Sequence, residues 1–133
     1  MKIDKNIRDH IDRVLEPVKM QGVKLNIASE DMVELELEQT IDTANYMGAL
    51  HGGVAYTLAD ICAGISLLVN GLKVTTIEGS MNYLREGVSG PFIARSKILH
   101  KGRTTAVINI EISDGNQELI SSGVFTMFIL GSI

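Results

Sequence analysis

His51-Gly52-Gly53-Val54-Ala55-Tyr56-Thr57-Leu58-Ala59-Asp60-Ile61-Cys62-Ala63-Gly64-Ile65-Ser66-Leu67-Leu68-Val69-Asn70-Gly71 is the stretch that decides the fold of this 133-residue chain. The 19 residues from Val54 to Leu72 are mostly apolar and approach the ~20 that a bilayer-spanning helix requires. Asp60 sits in their middle, the flanks carry no basic anchors, and amphipathic strand patterns follow at once. The stretch therefore reads as a helix over 54–69, buried in a soluble fold and closed by Asn70-Gly71. Ala55, Ala59, Ala63 and Gly64 keep its surface thin, which lets it lie close against a curved sheet as a central helix.

Outward from that helix the periodicity changes. Val33, Leu35 and Leu37 alternate with Glu34, Glu36 and Glu38, so a strand over 32–41 has one buried and one wet face, with 22–28 as its partner. On the far side, strands are expected over 72–85, 90–101, 103–113 and 117–130, separated by Glu86-Gly87, Lys101-Gly102 and Asp114-Gly115-Asn116. Short connections imply a four-strand antiparallel meander. Ile3, Ile7, Ile11, Val14 and Leu15 recur at helical spacing and predict an amphipathic surface helix ending at Pro17. The order gives an α+β domain over 1–133: a single antiparallel sheet around one helix, preceded by the helix of 1–17.

Composition narrows the function. Apolar residues at 45%, charged residues at 21% and only 2 Pro describe a packed domain. A net charge of -4 without a Lys/Arg cluster argues against nucleic acid as a partner. One cysteine, Cys62, excludes an intrachain disulfide and a thiolate metal cluster, and suggests a reducing compartment. The charged opening residues lack the apolar core of a signal peptide, so a cytoplasmic location is expected, with no membrane partner.

Asp60 is the only formally charged side chain among the thirty residues between Asp42 and Lys73. A desolvated carboxylate tends towards a raised pKa, as a general base or nucleophile needs, although an Asp can also cap a loop or face solvent. His51-Gly52-Gly53 opens the helix, where unpaired amides and the positive dipole end attract developing negative charge and glycines admit a ligand to the backbone. Two adjacent glycines also serve as a simple loop-to-helix turn.

Together Asn45, His51, Gly52, Gly53 and Asp60 form the string N-x5-HGG-x6-D. With the central apolar helix and the strands bearing Gly102-Arg103 and Gly115, this string resembles the hotdog-fold acyl-CoA thioesterases of the PaaI-like (phenylacetate pathway) branch, over residues 20–130. The resemblance implies a curved antiparallel sheet wrapped around a long central helix and hydrolysis of an acyl- or aryl-CoA thioester to free acid and CoA. It implies Asp60 as general base or nucleophile, the Gly53 N–H as oxyanion donor, Asn45 at the carbonyl or at the helix start, and His51 as orienter of the loop. The resemblance also implies a Ser or Thr on the strand after the helix that holds the attacking water; Thr75 and Thr76 fall in that region, and Thr76, seven residues before Tyr83, is the candidate. Coenzyme A enters as part of the substrate and no other cofactor is implied. Its phosphates need cations, for which Arg85, His100, Lys101 and Arg103 are candidates, Arg103 above Arg85, and Tyr56, Met81 and Tyr83 are candidates for shaping the acyl pocket.

Helix geometry adds one expectation. Gly53 and Asp60 lie about 10 Å apart along one helix at about 1.5 Å per residue, too far to act on one carbonyl, so the site is expected to be shared between two chains of a homodimer. The resemblance implies the same dimer and its pairing into a homotetramer. Two other functions belong to the same fold. A non-catalytic acyl-CoA binding or sensing domain would keep the pocket, and a hydratase or dehydratase would want a catalytic His paired with an acid; neither an HxxPG-type loop nor a D-x4-H string is present.

Overall fold

The computed structural model describes residues 3–16 and 22–133. Eight elements follow in order: α1 (Lys5–Leu15), β1 (Val23–Ala28), β2 (Val33–Leu37), α2 (Gly52–Leu68), β3 (Leu72–Tyr83), β4 (Phe92–Lys101), β5 (Thr105–Ser113) and β6 (Leu119–Ser132). All six strands join one antiparallel sheet in the order β1-β2-β4-β5-β6-β3.

That order corrects the expected four-strand meander. Only β4, β5 and β6 run as neighbours in sequence, while β3 lies beyond β6, paired from Leu72 opposite Ser132 to Tyr83 opposite Ser121. The eight residues 84–91 between β3 and β4 are too many for a tight hairpin, and they free β4 to pair with β2 instead. Strand β3 consequently forms a sheet edge and is exposed over most of its length.

Strand β2 is shorter than expected, because the chain leaves the sheet after Leu37 to form the segment that carries Asn45 and His51. Its Glu34, expected on the wet face, is buried and held by Arg95 and Asn26.

The core lies between the sheet's inner face and α2. Leu35, Phe92, Ile108, Ile110 and Phe125 are fully buried, as are Ala59, Cys62 and Ala63 on the helix. Burial pushes the Cys62 thiol far above its ordinary range, and the nearby Glu34 carboxylate adds to the effect. Small residues allow this close approach at Ala55, Ala59 and Ala63, but Gly64 is different: a Cβ placed there would meet no atom within 4 Å. On β3, Gly79 is the residue that close packing requires, since any Cβ would collide with the Tyr56 hydroxyl and the Phe125 ring. These two rings pack edge to face with centroids 5.2 Å apart.

Asp4 caps the start of α1, its carboxylate accepting the Asn6 amide at 2.8 Å. The helix is less superficial than its charge suggested: Ile11 and Leu15 are buried, and Ile3 and Ile7 pack on the core. Pro17, expected as its end, lies outside the described residues. No helix among the described residues is long and apolar enough to cross a membrane.

Candidate active site

The start of α2 is organised by short-range hydrogen bonds. His51 is the N-cap residue, and the Gly53 amide donates to its Nδ1 at 2.9 Å. The ring accepts through Nδ1, so the imidazole holding this bond is neutral with its proton on Nε2. The expectation that Gly53 presents a free N–H is thereby modified: the donor is capped by the histidine of its own motif. Amides at Gly52 and Val54 have no such cap among the described residues.

Asn45 shapes the preceding loop. Its side-chain oxygen accepts the amides of Met47 at 2.9 Å and Ala49 at 3.1 Å, which leaves the side-chain NH₂ to donate elsewhere. Tyr83, at the end of β3, donates its hydroxyl to the Gly52 carbonyl at 2.8 Å and ties the sheet to the helix start. Loss of hydration raises the pKa of that phenol, with nearby Tyr56 adding to the effect, so it remains a donor. Asn45, Gly52, Tyr83 and Arg85 all line one cavity of about 360 Å³.

Two helical turns further on, Thr76 on β3 donates its hydroxyl to Asp60 Oδ1 at 2.7 Å. Thr76, not Thr75, is therefore the strand hydroxyl that meets the carboxylate. Asp60 is half-buried rather than enclosed as its apolar neighbours suggested, because β3 is an edge strand and covers only one side of it. Asp60 and Thr76 line a second cavity of about 420 Å³ whose remaining walls are largely apolar, including Ile61, Gly64, Val74 and Met127.

The two cavities share no lining residue. Within one chain the amides at the start of α2 and the Asp60 carboxylate therefore belong to separate sites, as the seven-residue helical separation requires.

The cations that are candidates for the phosphates of coenzyme A lie in different places within one chain. Arg85 pairs with Glu118 beside the start of α2, whereas Lys101 Nζ donates to Asn70 just past its other end, at 3.2 Å. Seventeen residues of helix, about 25 Å, lie between these places. Arg103 is exposed in the β4–β5 turn and, like Lys101 and His100, lines neither cavity. The reason is strand direction: β3 and β4 run antiparallel, so the end of β3 at Tyr83 lies level with the start of β4, while Lys101 lies towards the opposite end of the sheet.

Val14 of α1 also lines the Asp60 cavity. Its place on the apolar stripe of α1, three residues after Ile11, is the signal in the sequence that points to it.

Comparison with known proteins agrees with this architecture. Residues 47–121 match the family model of the Thioesterase superfamily. A Saccharolobus solfataricus protein provisionally assigned as an esterase is 33% identical over 85 residues, which cover 62% of this chain and 61% of that protein, less than two thirds of its length. Acyl-coenzyme A thioesterase PaaI of Escherichia coli is 25% identical over 77% of this chain and 74% of its own, and its solved structure superposes with a TM-score of 0.87 over 98% of both chains at 21% identity. A Streptococcus mutans protein solved with acetyl-CoA bound gives a TM-score of 0.79 at 28% identity, covering 83% of this chain and 90% of that one. The chain thus belongs to the Thioesterase superfamily and takes its PaaI-like hotdog form.

Proposed function

We propose that this protein hydrolyses an acyl- or aryl-CoA thioester to the free acid and CoA, with Asp60 as general base. The observation that carries the reading is the Asp60–Thr76 pair at the wall of an otherwise largely apolar cavity. Thr76 engages one carboxylate oxygen and holds the group in one orientation, leaving the other oxygen to accept a proton from water. The hydroxide so formed attacks the thioester carbonyl carbon. Negative charge develops on the carbonyl oxygen, and amides at the start of α2 are suited to receive it. Collapse of the tetrahedral intermediate breaks the C–S bond, and the CoA thiolate leaves with the electron pair and takes up the proton held by Asp60.

In this reading Gly53 acts as the oxyanion donor once the His51 ring turns away from its amide, and the Asn45 side-chain NH₂ donates to the same carbonyl oxygen. Both belong to one subunit, while Asp60 and Thr76 come from the other. Support comes from the two cavities having no lining residue in common, and from the exposed edge of β3, whose unpaired backbone groups suit a second strand. The resemblance to PaaI and the acetyl-CoA bound to the S. mutans protein favour coenzyme A as the thiol.

The test is thiol release from a panel of short, medium, long and aryl acyl-CoAs. Turnover of at least one class is expected. Binding without release across the panel would overturn catalysis in favour of an acyl-CoA binding domain.

A further inference from the structure

The second cavity continues past the carboxylate. Asp60, Gly64 and Leu68 follow one another at four-residue spacing, share one face of α2, and all line it. It therefore runs from Asp60 towards the end of the helix for about 12 Å, bounded by Val74 on β3 and by Val14 on α1. Apart from Lys73 and Thr75, the lining beyond the Asp60–Thr76 pair is apolar, so the space suits a hydrocarbon chain leaving a carbonyl held near Asp60.

Gly64 stands about 6 Å along that path. Glycine is a poor residue for a helix interior, and no close contact calls for it here, since a Cβ would enter open space. What its missing side chain does leave is room in the cavity.

We infer that Gly64, together with Val14 of the N-terminal helix, sets the length of the acyl group that the site accepts. This rests on the thioesterase reading above and goes beyond it by naming the residues that measure the substrate. A side chain at 64 fills the path beyond the first few carbons, and a larger residue at 14 narrows it from the α1 side. Acyl groups short enough to end before Gly64 do not meet a side chain placed there.

The experiment compares wild type, Gly64→Leu, Gly64→Ala and Val14→Phe on straight-chain acyl-CoAs from acetyl to hexadecanoyl, with benzoyl-CoA added. The quantity read is the ratio of kcat/KM for the longest productive substrate to that for the shortest. Gly64→Leu is expected to lower this ratio by about tenfold or more, the scale on which pockets discriminate by one methylene, and Gly64→Ala by less. An unchanged ratio in folded Gly64→Leu overturns the inference while leaving the thioesterase reading intact. Non-hydrolysable thioether analogues of the same panel, scored by Kd, separate the two questions. Should no substrate turn over, a loss of long-chain analogue affinity in Gly64→Leu still supports the inference, and an unchanged ranking refutes it. If Gly64→Leu does not fold, Gly64→Ala and Val14→Phe decide by the same ratios.

Discussion

Thr76 donates to Asp60 across 2.7 Å and so joins the edge strand of the sheet to the middle of the central helix. Sixteen residues separate the two in sequence. The bond exists because α2 lies on the inner face of the sheet and β3 returns alongside it. Asp60 is thereby oriented but not enclosed, which leaves it open to water and to a second chain.

Asp60→Asn should lower kcat by about 10²–10⁴-fold while the protein still folds and binds acyl-CoA, because the amide keeps an oxygen to accept from Thr76 but takes no proton. Steady-state kinetics and a thermal melt on the same samples check this. A folded variant with near-normal kcat would remove Asp60 from the mechanism.

Thr76→Val removes the hydroxyl at nearly constant size and leaves the carboxylate without its orienting donor. A fall of about tenfold in kcat with little change in KM is expected, since one hydrogen bond to a charged group is involved. Thr76→Ser should restore the rate; failure of serine to do so would mean that the methyl group, not the hydroxyl, is what matters at this position.

Co-expression of Asp60→Asn with Gly53→Pro chains tests the shared site. Each parent is expected to be inactive, and verified heterodimers should regain one intact site of two. Recovery absent in such heterodimers would place the reaction within one chain or assign it to other residues.

Affinity for the coenzyme moiety should fall with salt, as phosphate recognition by exposed cations does. Arg85→Ala is expected to raise KM and flatten that dependence more than Arg103→Ala, because Arg85 lines the cavity at the start of α2 and Arg103 does not. KM against ionic strength for both variants gives the answer, and the opposite ranking would put the phosphates at the β4–β5 turn.

Gly64→Ala should raise the stability of the fold by about 0.8–1.0 kcal/mol, the usual difference between alanine and glycine inside a helix, because the added methyl meets open space. Chemical denaturation reads this directly. A loss of stability would mean that the space at Gly64 is filled in the folded protein, as by a partner chain.

Local sequence was sufficient for the elements whose pattern is written in consecutive residues. The apolar run after His51-Gly52-Gly53 specified a buried helix, and the alternation through Ala106, Ile108, Ile110 and Ile112 specified a strand with one buried face; all four of those residues are buried. Asp60 stood out because it is one carboxylate in thirty otherwise uncharged residues. Thr76 was named only through the family resemblance, since threonine is common in strands for packing alone. Other features depended on which strands become neighbours, and adjacent turns in sequence do not reveal that. The placement of β3 beyond β6 exposes its edge. Docking of α1 against the core brings Val14 to the Asp60 cavity, and a side-chain rotation closes the His51 ring over the Gly53 amide. Periodicity and spacing describe one element at a time, whereas the walls of a cavity come from elements that meet only when the chain is folded.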